Sequence, residues 1–163
     1  MTHITIEQLH DDVKSGKTSF EAQVRSNLAQ INQNGHLNAF VNVFGDEAIQ
    51  RAQMLDSKIK NGEPVGALAG VVISIKDNIC YKNHIATAGS KILSGYRSPF
   101  SATAVEKLEA ADAIIIGTTN CDQFGMGSMS TNSHYGAVRN GFGSDLIAGG
   151  SSGGAAVSVQ TGM

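Results

Sequence analysis

The sequence has little charge, few cysteines and no long apolar run. Charged residues are 16% of its 163 positions, against about 25% in ordinary soluble domains. Apolar residues are 41%, a normal share that argues against disorder. The net charge of −2 gives no basic surface for direct contact with nucleic acid or an acidic membrane. Cys80 and Cys121 are the only cysteines. With no C-x-x-C pair and no histidine at metal spacing, they read as ordinary thiols, and no metal site is expected. No stretch approaches the roughly 18 apolar residues of a membrane span. The N-terminus has no apolar core of a signal peptide, so a cytoplasmic location is expected.

Glycine is in excess, at 19 of 163 residues. Eleven of these fall between Gly117 and Met163, a stretch whose charges are Asp122, Arg139 and Asp145. Such a segment is either a linker or a site built from backbone. The length alone is about one domain's worth of chain.

The first sixty residues carry helical periodicity. Ile6, Leu9 and Val13 mark a first helix that stops at Gly16. Thr18 or Ser19 can cap a second helix carrying Phe20, Val24, Leu28 and Ile31, with Asn34-Gly35 as its end. Leu37 to Phe44 reads as a strand or extended lead-in. Asp46 is expected to cap a third helix carrying Ala48, Ile49, Ala52, Leu55 and Ile59, stopped by Asn61-Gly62. Beyond Pro64 the pattern changes. Ala69 to Ile75 and Ala113 to Ile116 are β-branched apolar runs that read as buried strands. Between them, Ser101 to Thr103 is expected to cap a helix from Ala104 to Ala111, with Val105 and Leu108 inward. Strand, helix, strand at this spacing predicts a largely parallel sheet covered by helices. Ligands in such sheets bind at the carboxyl ends of the strands. Lys76–Asn78 and Thr118–Asp122 are expected just past those ends.

Phosphate-loop patterns fail. Gly16-Lys17-Thr18 lacks the earlier glycine of a Walker A, where Asp11 stands, and neither Gly125-Met-Gly127 nor Gly141-Phe-Gly143 has the third glycine of G-x-G-x-x-G. Gly149-Gly-Ser-Ser-Gly-Gly154, followed by a helical Ala155–Val159, suits close backbone approach to a ligand and free N–H donors at a helix start. A flexible linker is the other reading. The stretch also fits G-x-S-x-G around Ser151, but a nucleophile elbow needs its histidine after the serine. His3, His10, His36, His84 and His134 all precede it, and each reads as a surface polar residue. Lys76 directly follows the apolar strand, where poor solvation suits a lysine to accept a proton. An ion pair with Asp77 is the alternative.

Three ordered stretches, Gly66–Ile79, Thr119–Ser128 and Gly149–Gly154, together resemble the amidase signature family. The likeness covers essentially the whole chain, including the N-terminal helices and Leu37–Phe40. It implies an α/β fold: N-terminal helices, then the start of a mixed, largely parallel sheet covered by helices. Residues 1–163 would be the N-terminal part of a single domain, with 1–62 a helical lead-in and 63–163 the start of the catalytic core. The resemblance implies a Ser–Ser–Lys set. Lys76 matches the base, and Ser151 matches the serine that follows a cis peptide bond and relays the proton between lysine and nucleophile. Gly127, Ser128, Gly149, Gly150 and Ser152 would contact substrate. The nucleophilic serine belongs to a later Gly-Ser/Thr-rich motif, so this chain is expected to be inactive alone.

Within the family, the likeness is to members that hydrolyse glutamine and pass the ammonia to a tRNA-dependent amidotransferase, which forms Gln-tRNA(Gln) from Glu-tRNA(Gln). That implies glutamine as substrate and other subunits of the complex as partners. This chain would carry no cofactor. ATP and magnesium would be used by a partner subunit, tRNA would be held mainly through partners, and no membrane is involved. The alternative is a stand-alone amidase acting on small amides. Two positions depart from the family pattern: an amide, Asn132, stands where an acid is usual, and Ala148 stands where proline is frequent.

Overall fold

The computed structural model describes residues 5–163; His3 lies outside them. Helix α1 (Ile6–Lys14) buries Leu9 and Val13. Thr5 caps it with a reciprocal pair: Gln8 N–H donates to Thr5 Oγ1 at 3.1 Å, and Thr5 N–H donates to Gln8 Oε1 at 2.9 Å. Helix α2 (Phe20–Gln33) buries Phe20, Val24 and Ile31. Ser19 is its cap, accepting the Ala22 N–H at 3.0 Å. Helix α3 (Gly45–Lys60) buries Ala48, Ala52 and Leu55. Its Asp56 accepts the N–H groups of Phe20 at 2.8 Å and Glu21 at 3.1 Å, a second cap on α2 supplied from another helix.

The cap expected at Asp46 is not one. Phe44 holds the N-cap position and makes no side-chain cap bond. The Phe44 N–H is committed to Ile116 O at 2.8 Å, so α3 springs directly from strand pairing. Asp46 and Glu47 fall in the first turn, where negative charge complements the helix dipole.

Three strands form one mixed sheet: β1 (Phe40–Val43), β2 (Val72–Lys76) and β3 (Ile114–Thr119), in the order β1-β3-β2. β3 is buried throughout. It runs parallel to β2 and antiparallel to β1. β2 begins later than its apolar run suggests, because Gly70 takes a positive φ of +73° and Val71 N–H closes a turn onto Leu68 O at 3.0 Å. β3 ends later. Thr118 and Thr119 belong to the strand, where Thr118 Oγ1 accepts from Asn42 Nδ2 at 2.9 Å and Thr119 Oγ1 donates to Ile75 O at 3.3 Å. Lys76 is therefore the last residue of β2, paired with Thr119, and not a loop residue beyond it.

Helix α4 (Thr103–Ala110) buries Val105, while Leu108 is half-buried. Its N-cap is Ala102, without a side-chain bond. Ser101 Oγ, an expected cap, accepts Lys82 N–H at 3.1 Å instead. Helix α5 (Gly153–Thr161) starts two residues before its apolar run. The core is split by the sheet. Ile114 and Ile116 join Phe20, Val24, Ala52 and Leu55 on one side, and Ile115 joins Ile75 and Val105 on the other. The first sixty residues thus share sheet and core with the rest.

Candidate active site

Lys76 leaves the end of β2 and reaches Ser151: Nζ donates to Ser151 Oγ at 2.7 Å. Both groups are half-buried. The alternative pairing with Asp77 does not form. Asp77 is buried, and its Oδ2 accepts from the Thr87 hydroxyl and from Gly89 N–H. Its Oδ1 has no hydrogen-bond partner among the described residues.

Ser151 follows a cis peptide bond from Gly150, the feature the family resemblance attaches to this position. The loop before α5 takes its path because of what surrounds each glycine. Gly149 has a φ of +76°, in open space. A Cβ on Gly150 would collide with the Asp122 carboxylate and would lie 2.7 Å from Met129 N. One on Gly154 would collide with Asn120 O and would lie 2.7 Å from Asn120 N. The chain packs too closely there for any side chain.

Two of the donors at the helix start are already committed within the protein. Gly153 N–H donates to Ser130 Oγ at 2.8 Å, and Gly154 N–H donates to Asn120 O at 3.1 Å. These bonds serve to lock α5 against the preceding loops. The linker reading is excluded with them, since Gly153 and Gly154 are buried.

The remaining substrate-contact candidates gather nearby. Gly127 lies against the Asp122 carboxyl group, with no room for a Cβ, and Ser128 lies against Gly150. Gly127, Ser128, Gly150 and Ser152 are exposed, while Gly149 is half-buried. Gly125 turns beside Lys76, where an added Cβ would be 3.9 Å from Nζ.

Sequence reasoning missed two anchors of this site. Asp122 is buried, and its carboxylate accepts Ser130 N–H at 3.0 Å and Asn132 N–H at 3.1 Å. Asn120 is buried as well; its Nδ2 donates to Asn38 O at 3.2 Å and Gly136 O at 3.1 Å. One available signal was that Asp122 is among three charges in a long uncharged segment.

Cys121, next to these anchors, is fully buried. Its thiol is pushed up to about 11, first by burial and then by the charge of Asp77, which keeps it an unreactive thiol. The histidines stand apart from Ser151 in different ways. His36 and His134 are exposed, whereas His10 bonds Ala69 O at 2.8 Å and His84 stacks on Tyr81 at 4.1 Å. Those two are packing residues rather than free surface groups. Among the described residues no cluster of three or more His, Cys, Asp or Glu could hold a metal ion. No described helix is long and apolar enough to cross a membrane.

A lysine at a strand end bonded to a serine after a cis peptide defines a class of site. The family profile described as Amidase matches residues 22–163, and the chain belongs to the amidase signature family. It is 42% identical over 164 residues to the A subunit of glutamyl-tRNA(Gln) amidotransferase from Salinibacter ruber, covering all of this chain and 32% of that protein. The chain thus spans about a third of the length of the curated relatives it matches. Among solved structures, a bacterial aryl acylamidase of the amidase signature family superposes with a TM-score of 0.87 at 34% identity, over 94% of this chain and 32% of that one. The A subunit of glutamyl-tRNA(Gln) amidotransferase from Thermotoga maritima superposes at 0.74 with 30% identity, over 98% and 32%.

Proposed function

We propose that the protein carrying these residues is the glutamine-hydrolysing, ammonia-supplying subunit of a cytoplasmic tRNA-dependent amidotransferase that forms Gln-tRNA(Gln) from Glu-tRNA(Gln). The observation that carries this reading is the 2.7 Å bond between Lys76 Nζ and Ser151 Oγ. The 42% identity to the A subunit of a glutamyl-tRNA(Gln) amidotransferase supports the choice of a tRNA-dependent amidotransferase. In this reading the nucleophile is a serine outside residues 1–163. Its Oγ attacks the side-chain amide carbon of glutamine while its proton passes to Ser151 Oγ and the Ser151 proton passes to Lys76 Nζ. The proton returns by the same route to the amide nitrogen, the C–N bond breaks, and ammonia leaves. Water then cleaves the glutamyl ester, releasing glutamate and restoring the serine.

Gly127, Ser128, Gly149, Gly150 and Ser152 supply bare backbone and hydroxyls for the substrate. Backbone N–H groups suit a developing oxyanion, which is a reason for such a site to be rich in glycine. Ammonia passes to a partner subunit, which uses ATP and magnesium, and partners carry most of the tRNA contact. The net charge of −2 fits that division of labour.

The test is ammonia release from L-glutamine by the full-length protein, with and without co-expressed partner subunits, Glu-tRNA(Gln), ATP and magnesium. The reading expects release that rises with the complete mixture, and none from residues 1–163 alone. Hydrolysis of small amides without glutamine hydrolysis in any mixture would overturn it in favour of a stand-alone amidase. Release by residues 1–163 would overturn the external nucleophile.

A further inference from the structure

We infer that Asp122 is the positioning residue that holds Ser151 over Lys76. The inference rests on the relay reading above and adds a residue to it. Three contacts converge on the Ser151 loop, and all pass through Asp122. Its main-chain N–H donates to Ser151 O at 3.1 Å. Its carboxylate packs directly on Gly150, on the near side of the cis bond, where any Cβ would collide with it. Its Oδ2 accepts Ser130 N–H at 3.0 Å, and Ser130 Oγ in turn accepts Gly153 N–H at 2.8 Å. The loop is therefore held at residue 151 by the Asp122 main chain, and at residues 150 and 153 by its buried carboxylate and that carboxylate's partner Ser130.

The carboxylate suits this task better than an amide. Both of its oxygens face main-chain donors, Oδ2 toward Ser130 and Oδ1 toward Asn132. An asparagine would turn an NH2 group toward one of them and leave a buried donor unpaired. The same carboxylate closes the loop carrying Gly127 and Ser128 against the Ser151 loop, since Gly127 also packs on it without room for a side chain. Asp122 touches neither Lys76 Nζ nor Ser151 Oγ in the hydrogen-bond network; its carboxylate acts through the loop on either side of Ser151, at Gly150 and, by way of Ser130, at Gly153.

A double-mutant cycle in the full-length protein separates positioning from bulk stability. Asp122→Asn, Lys76→Ala and the pair are compared for ammonia release from L-glutamine, with circular dichroism to establish that each is folded. Groups that act as one unit are non-additive. Asp122→Asn is expected to lower kcat about 100-fold on the wild-type background, within the range of an impaired acid–base step. On the Lys76→Ala background it is expected to add less than about threefold. Ser130→Ala, which keeps the Asp122 carboxylate and removes only the hydroxyl bound to Gly153, reports the same coupling if Asp122→Asn does not fold. It is expected to lower kcat about tenfold on wild type and not measurably on Lys76→Ala. Equal fold-losses on both backgrounds would assign these residues a structural role alone and overturn the inference. So would a folded Asp122→Asn protein, or failing that a folded Ser130→Ala protein, with wild-type kcat. Wild-type turnover by Lys76→Ala would instead overturn the relay reading, and the inference with it.

Discussion

Lys76 and Ser151, 75 positions apart in the chain, meet through a 2.7 Å hydrogen bond. The lysine is fixed by the pairing of β2 with β3, and the serine by the turn into α5. Neither element would place its group without the other, so disturbing the anchors of the α5 loop should be felt at the lysine.

The close packing of α5 predicts a large difference between two glycine substitutions. Gly62 has a φ of +71° and open space around it, so Gly62→Ala should cost about 1–2 kcal/mol of left-handed strain. Gly154→Ala must push α5 away from the Asn120 and Ala39 backbone. It should cost more than Gly62→Ala, about 3 kcal/mol by overpacking. Denaturant midpoints of the two variants check the order; equal midpoints would contradict it.

Asp56 predicts a cap effect at a distance. Asp56→Ala leaves the Phe20 and Glu21 N–H groups without their acceptor. The expected loss is about 1–2 kcal/mol, as for removal of a helix cap. Amide exchange at Phe20 and Glu21 should accelerate more than at Val24. Unchanged exchange at those two amides would show that Ser19 suffices alone.

Cys121 predicts an alkaline limb of stability. Its thiol sits at about 11 in the folded protein against an ordinary 9.0, mainly through burial. Above pH 9 the unfolded chain loses this proton first. The associated stability is complete below about 9 and is lost as pH rises toward about 11. Cys121→Ala should therefore show a shallower fall in melting temperature over that range than wild type. Parallel falls would contradict the assignment.

The parts of this structure that were legible in the sequence are those carried by local periodicity. The three N-terminal helices follow from Leu9 and Val13, from Phe20, Val24 and Ile31, and from Ala48, Ala52 and Leu55. Both core strands follow from β-branched runs, although Gly70 shortens one and Thr118 and Thr119 lengthen the other. Lys76 was visible as a charge at the end of an apolar run, and Ser151 as the centre of a glycine cluster. Asp56, Asn120 and Asp122 were not legible as anchors, because their partners lie on other segments and no local pattern encodes such bonds. The caps at Phe44 and Ala102 escaped for a related reason. Phe44 is held by pairing with β3, while Ser101, beside Ala102, is drawn away to Lys82.

The account turns on Lys76 and Ser151 acting as one proton path. The most direct measurement is kcat for ammonia release from L-glutamine by the full-length protein and by its Lys76→Ala and Ser151→Ala variants, each shown to be folded by circular dichroism. The account predicts that each variant loses about 100-fold or more, and that the double variant loses little beyond the worse single one. Folded Lys76→Ala or Ser151→Ala protein turning over at the wild-type rate would contradict it.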